Sequence, residues 1–283
     1  MAGAVLALVF YGLKFGIEFT GGSLLEVAFQ NERPSPGAIQ DALKQFSLGE
    51  VIIQPLAERE MLLRFKEIDE TGHQQILSKL KEISPLEEKK FELIGPVIGK
   101  ELEQKTIIAV ILTLLAITLY IAFAFRKVSQ PVSSFQYGLA SLIALCHDIL
   151  VPLGVFSILG HFYNTEITIP IVAALLTILG FSVHDTIVIF DRVRENLLRR
   201  SFSSFEETVN WSLNQTLGRS INTVLTVLIV LFAIYFFGGE TLKSFSLALI
   251  IGITSGAYSS IFIASPLLVS WQRWKERKWG KKG

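Results

Sequence analysis

The chain has 283 residues, 51% of them hydrophobic, with a formal net charge of +1 and one cysteine. A balance this close to neutral argues against a nucleic-acid partner, and the single Cys146 leaves no disulfide framework and no cysteine-based metal site. Mean hydropathy is positive. Between Ile107 and Trp271 the apolar runs reach the roughly 20 residues that span a bilayer, while most acids and many bases fall between Glu18 and Lys105. This predicts a polytopic α-helical membrane protein, held in a lipid bilayer, with a small soluble domain near its start.

The first apolar segment, Ala2 to Phe15, would rise only about 21 Å against a hydrocarbon core of roughly 30 Å. It lacks the basic flank and cleavage site of a signal peptide. Residues 1–18 therefore read as a short, incomplete first transmembrane helix, with further residues expected upstream. Residues 19–102 read as a soluble α+β domain. Ser23 to Phe29 has strand character, Ser35 to Phe46 is an amphipathic helix with Pro36 in its first turn, and Val51 to Leu56 is a second strand. Glu60 to Lys66 is a third strand, Asp69 to Ile83 a helix capped by Asp69, and Lys89 to Ile94 a fourth strand. The order βαββαβ predicts a ferredoxin-like sandwich that binds or transmits force, since it holds no metal-type cluster and no Gly-rich phosphate loop.

Residues 103–272 carry five further spans: Ile107 to Phe125, Phe135 to Leu159, Ile167 to Phe190, Ile221 to Phe237 and Phe245 to Val269, six spans in all with the first. Between the fourth and fifth of the six, residues of about 202–217 form an amphipathic helix, with Phe202, Phe205, Val209 and Leu213 on the face expected to lie on the membrane surface. Residues 273–283 are a basic tail. Basic residues follow the second span (Arg126, Lys127), the fourth (Arg192, Arg194, Arg199, Arg200) and the sixth (Arg273, Lys275, Arg277, Lys278, Lys281, Lys282). The opposite loops carry almost none, so both termini are expected in the cytoplasm and residues 19–102 outside it. Trp271, Trp274 and Trp279 interleave with the tail as interfacial anchors.

The fourth span contains His184 and Asp185, the third His147 and Asp148, and the fifth opens with Arg219. Hydrocarbon offers a carboxylate no hydrogen bond, and an Asp at mid-span costs roughly 2.5 to 3.5 kcal/mol on insertion scales, which makes each acid a functional candidate. Arg219, Asn222, Thr223 and Thr226 are expected to share one helical face, and Thr177, Gly180, His184 and Asp185 to form a comparable stripe with Ser182 beside it. A permanently charged Arg219 moving toward or away from Asp185 would switch the acid's proton, so the expected relay is Asp185, Arg219, Asp148, His184, His147, Asn222 and Thr223. Pro152, one turn beyond Asp148, should kink the third span and free a carbonyl. Gly180, Gly252, Gly256, Ser259 and Ser260 read as helix-packing positions.

The chain also carries Gly16-Ile17-Glu18-Phe19-Thr20-Gly21-Gly22 after the first span and Gly95-Pro96-Val97-Ile98-Gly99 with Glu101-Leu102 before the second. His147-Asp148, the run from Gly180 to Asn196, Arg219-Ser220-Ile221-Asn222-Thr223 and Gly256-Ala257-Tyr258-Ser259-Ser260 follow in later spans. Taken jointly, and almost end to end, these motifs resemble the SecF family of protein-export membrane proteins, partners of SecD within the RND superfamily. The resemblance implies a subunit of the bacterial cytoplasmic membrane, not an enzyme. It implies work with SecD beside the SecYEG channel and its accessory membrane subunits, drawing unfolded preprotein outward at the expense of the proton motive force. No cofactor is implied beyond a coupling ion, H⁺ or Na⁺. The family's proton-passage acid and arginine correspond here to Asp185 and Arg219. The chain departs from the family at His184, usually Asn, and at Glu18, usually Asp.

The main alternative is half of an RND-type proton-driven exporter of small molecules or lipids, for which a soluble module of about 80 residues is small. An intramembrane aspartyl protease built on Asp148 and Asp185 is disfavoured by the lack of a GxGD motif. A purely structural membrane anchor would leave the buried acids without a task.

Overall fold

The computed structural model describes residues 1–49, 51–56, 58–126, 131–199 and 202–279. In chain order its elements are α1 (Ala2–Tyr11), α2 (Ile17–Thr20), β1 (Gly22–Phe29), α3 (Pro36–Leu43), β2 (Ile52–Pro55), β3 (Glu60–Phe65), α4 (Glu70–Ile83) and β4 (Leu86–Ile94). Then come α5 (Pro96–Ala124), α6 (Ser134–Tyr163), α7 (Ile169–Leu198), α8 (Phe205–Phe237), α9 (Glu240–Ser259), a π turn (Ser260–Ala264) and α10 (Ser265–Trp279). They form two units, one of Phe15–Ile107 with Glu166–Thr168, the other of Met1–Lys14, Ile108–Thr165 and Ile169–Gly283.

In the first unit an antiparallel sheet of order β2-β3-β1-β4 is built from strands that alternate buried and half-buried side chains. Leu25, Val27, Phe29, Met61, Leu63 and Phe65 meet Ile39 and Leu43 of α3 and Ile76, Leu77 and Leu80 of α4 in one core. Both helices start where the sequence marks them. The Ser35 hydroxyl accepts from the Ala38 amide ahead of Pro36, and the Asp69 carboxylate accepts from the Gly72 amide at 2.8 Å. Asp69→Ala is expected to cost about 1 kcal/mol, typical of a lost N-cap; faster amide exchange in the first turn of α4 checks it.

Gly21 and Gly22, with φ of +76° and +136°, bring the backbone into β1 where a Cβ would lie 2.8 Å from Pro96 Cα or 2.8 Å from Phe65 O. Gly99 likewise leaves room for the Phe19 carbonyl, at 2.6 Å from an added Cβ, so the two glycine motifs of the sequence close on each other. The unit begins earlier and ends later than the expected 19–102, and it takes in Glu166–Thr168 from the α6–α7 connection. There the Gly16 amide donates to Ile167 O at 2.9 Å, and Arg64 of β3 forms an ion pair with Glu166 at 2.5 Å.

Among the described residues five helical stretches are long and apolar enough to cross a membrane: α5, α6, α7, α8 and the continuous α9–π turn–α10. The first helix, α1, is shorter than the apolar run, ending after 10 residues where Gly12 takes φ +67°. The core joins Ile121 and Phe125 to Tyr137, Phe190, Val193 and Leu268, with Phe125 stacked on Tyr137 at 5.2 Å. Glycines 138 and 154, which the sequence does not single out, let α6 approach Thr118 O of α5 and Ala4 of α1. Pro152 lies within an α6 that continues to Tyr163.

One expectation is corrected here. The amphipathic segment of 202–217 is no separate surface helix but the first half of α8, a single helix of 33 residues. Phe205 and Val209 are buried against α6, α7 and α10, so its apolar face is covered by protein. The tail from 273 is helical as far as Trp279 within α10, where Arg273 pairs with Glu206. Lys127, Arg200, Lys281 and Lys282, and the side chains of Lys278 and Trp279, lie outside the described residues.

Candidate functional site

Three helices converge on Asp148, which is fully buried. Ser182 of α7 donates to Oδ2 at 2.5 Å and Ser259 of α9 donates to the same oxygen at 2.7 Å. His147 Nδ1 stands 3.0 Å from Oδ1, and Ser255 Oγ is 3.5 Å from it. The acid is thus held by hydroxyls spaced one helical turn apart on α9 and by its own neighbour on α6. Close packing sets this geometry. A Cβ on Gly252 would lie 2.1 Å from Ile178 Cδ1, and one on Gly256 would lie 2.9 Å from Ser182 Cβ, so both glycines serve the α7–α9 contact as the sequence indicates. Ser259 and Ser260 do more than pack. They are hydrogen-bond donors or acceptors to Asp148 and Thr186.

Asp185 has a sparser environment. It is 4% exposed, accepts one hydrogen bond at Oδ1 from Ser220 of α8 at 3.2 Å, and its buried Oδ2 has no hydrogen-bond partner among the described residues. In hydrocarbon an unsatisfied carboxyl oxygen is costly, which marks this as the acid with bonding capacity to spare.

The expected pairing of Asp185 with Arg219 is not seen among the described residues. Arg219 is exposed and makes no ion pair among the described residues, because the residue that α8 turns toward α7 is Ser220, about 100° further round the helix. Asn222 is exposed too, and Thr223 is half-buried, its carbonyl accepting from Thr226. On α7, Thr177, Gly180 and His184 are exposed. Gly180 has nothing within 4 Å of an added Cβ, which corrects its assignment to packing within this chain. The polar stripes of α7 and α8 therefore face outward from the bundle, while His147, Asp148 and Asp185 face in. Asp148 and Asp185 share no hydrogen bond among the described residues, which gives no support to a protease dyad. Of the serines that do the binding, Ser259 reads from the sequence as a packing position and Ser182 as a neighbour of the polar stripe, while Ser220 and Ser255 carry no site assignment there. No group of three or more His, Cys, Asp or Glu among the described residues is arranged to hold a metal ion.

The sequence matches the family description "Protein export membrane protein SecD/SecF, C-terminal" over residues 75–274, and the SecD/SecF GG motif over residues 6–32. The chain belongs to the SecD/SecF family. It is 47% identical to the protein translocase subunit SecF of Thermobaculum terrenum over 94% of this chain and 86% of that one. It is 36% identical to the SecF of Anaerolinea thermophila over 99% and 91%. The crystal structure of SecDF from Thermus thermophilus, described as a translocon-associated membrane protein, superposes with a TM-score of 0.85 at 33% identity. That match covers 96% of this chain but only 36% of the SecDF chain, so this chain spans about a third of it. Within the SecD/SecF GG-motif match lies Gly16 to Gly22, the segment whose glycines close on Pro96 and Phe65. The chain is a multi-pass membrane protein of this family.

Proposed function

We propose that this Sec translocase subunit couples ion movement down the membrane gradient to late-stage preprotein export, with Asp185 as the group that gains and loses the ion. The observation that carries the reading is the buried Oδ2 of Asp185, which has no hydrogen-bond partner among the described residues. A carboxyl with one bond from Ser220 has room for a proton or Na⁺ that the fully engaged Asp148 lacks. The outward polar stripes, His184 with Thr177 and Arg219 with Asn222, support a relay completed by a second subunit, since polar groups left against lipid are costly. A SecD-like protein is that partner, beside a SecYEG-type channel. The relay then runs through Asp185, His184, Arg219, Asn222 and Thr223, with His147 and Asp148 behind it.

In this reading α1 is the short first span, which brings the spans to six, and the sheet unit is a ferredoxin-like module outside the cytoplasmic membrane, with both termini in the cytoplasm. The basic residues after the second, fourth and sixth spans support that orientation. The protein is a transport subunit rather than an enzyme. Relatives named for protein translocation favour preprotein over small molecules or lipids as cargo.

The test is export into membrane vesicles by the chain assembled with a SecD-like partner, with and without a proton gradient. Asp185→Asn keeps the shape and the Ser220 contact but cannot change charge. It is expected to reduce export to the gradient-free level while the partner still co-purifies. Gradient-stimulated export by that variant would overturn the reading.

A further inference from the structure

Immediately after Ser259 the last span departs from α-helical geometry. Ser260–Ala264 form a π turn, one extra residue in the ladder, and such turns are rare and concentrated at functional positions. This one is pinned by side chains. Ser259 Oγ donates to Asp148 at 2.7 Å, Ser260 Oγ and Thr186 Oγ1 share a hydrogen bond at 2.8 Å, and Ser265 Oγ donates to Ser260 O, five residues back, at 2.9 Å. All of these side chains are almost fully buried. Thr186 is the residue after Asp185, and its hydroxyl donates to Ser182 O at 3.2 Å, which leaves its oxygen to accept from Ser260. A short path therefore joins the two acids: Asp185, Thr186, Ser260, Ser259, Asp148.

The two adjacent serines give the turn a second possible register. With both ends of the span fixed, moving the extra residue one turn toward the N-terminus advances every residue it passes by one position, a rotation of about 100° and a rise of 1.5 Å. Ser260 then occupies the place of Ser259 and supplies its hydroxyl to Asp148. Ile261 takes the place of Ser260, so Thr186 loses that partner and keeps only Ser182 O. Asp148 is satisfied in both registers, and Leu268 beyond the turn stays in the core. Serine at both 259 and 260 is what makes the exchange cheap, because any apolar residue at 260 would leave the buried acid short of a donor.

We propose that the π turn migrates between these two registers as Asp185 changes charge, with Thr186, Ser259 and Ser260 as positioning residues that pass the change from α7 to the last span. This rests on the reading of Asp185 given above. When Asp185 is neutralised, α7 and α8 repack around Ser220, Thr186 is drawn off Ser260, and the turn moves.

The experiment uses the chain in complex with a SecD-like partner in lipid nanodiscs, reading amide hydrogen exchange across residues 252–268. In the unaltered protein the fastest exchange in this stretch is expected at 260–264. In Asp185→Asn, a mimic of the neutral acid, it is expected one turn earlier. Ser260→Ala removes both the Thr186 tie and the substitute donor, so it should fix the turn at 260–264 in the Asp185→Asn background and lose gradient-driven export. Ser260→Thr, which keeps the hydroxyl, should restore both. If Asp185→Asn blocks export but exchange stays at 260–264, or if Ser260→Ala exports normally, the register proposal fails and the reading of Asp185 stands. If Asp185→Asn itself exports normally, that reading is what fails.

Discussion

Replacing Glu166 with alanine is expected to destabilise the sheet-bearing unit by about 3 to 5 kcal/mol, the usual cost of leaving one member of a buried ion pair alone. The side chains of Arg64 and Glu166 are 13% and 3% exposed, so water cannot take over the solvation of the survivor. Arg64 has little else to turn to, since its buried Nε already lacks a hydrogen-bond partner among the described residues. The pair also fixes position. Beside it, Phe15 bridges to Ile167 and the Gly16 amide donates to Ile167 O, and a Cβ on Gly16 would lie 2.3 Å from Glu18 Oε2 and 3.3 Å from Ile167 O. Thermal unfolding of the detergent-solubilised chain, with amide exchange followed in β3, measures the loss. The double variant Arg64→Met with Glu166→Leu, which removes both charges and keeps the volume, is expected to recover most of it. Equal losses in the single and double variants would show that the charges are not what holds this site together.

Local signals made the sheet unit legible. Pro36 after Ser35, Asp69 three residues before Gly72, and alternation from Ser23 to Phe29 and Glu60 to Phe65 each act within a few residues, and each element formed where they pointed. The bundle was legible in its hydropathy and in the acids it buries. What periodicity could not supply was the direction in which a face points. Arg219, Asn222, Thr223 and Thr226 do share a face, but that face is mostly exposed, and the inward position belongs to Ser220. The same ambiguity applied to the segment of 202–217, because an apolar stripe looks the same whether protein or lipid covers it, and here Phe205 and Val209 are covered by protein. The ion pair of Glu166 with Arg64 has no local signature, since the two residues are remote in sequence. Serines in apolar runs carry no signal of whether they pack or donate, and only the convergence of α6, α7 and α9 on Asp148 assigns Ser182, Ser255 and Ser259 their task.

The two intramembrane acids are expected to separate stability from transport. Asp148→Ala removes the acceptor shared by Ser182, Ser259, Ser255 and His147, the three serine contacts being the ones that tie α6 to α7 and α9. Orphaned donors in a soluble core cost about 1 to 3 kcal/mol each. In a bilayer the separated helices find other partners, and cross-helix hydrogen bonds average about 0.6 kcal/mol. The membrane figure governs here, giving a loss of about 2 kcal/mol for Asp148→Ala. The same figure gives at most about 0.6 kcal/mol for Asp185→Asn, which retains an acceptor for the single bond from Ser220. Thermal unfolding in detergent should therefore rank Asp148→Ala well below Asp185→Asn. Asp148→Asn should fall between them, because its amide keeps one oxygen for the serines while its NH₂ obliges a hydroxyl to turn round and accept. Gradient-driven export should show the other pattern, abolished by Asp185→Asn and retained in part by Asp148→Asn wherever the protein stays folded. Were Asp185→Asn the less stable variant and Asp148→Ala neutral, the serines around Asp148 would be bystanders, and the acid that holds the helices together would be the one with a single hydrogen bond.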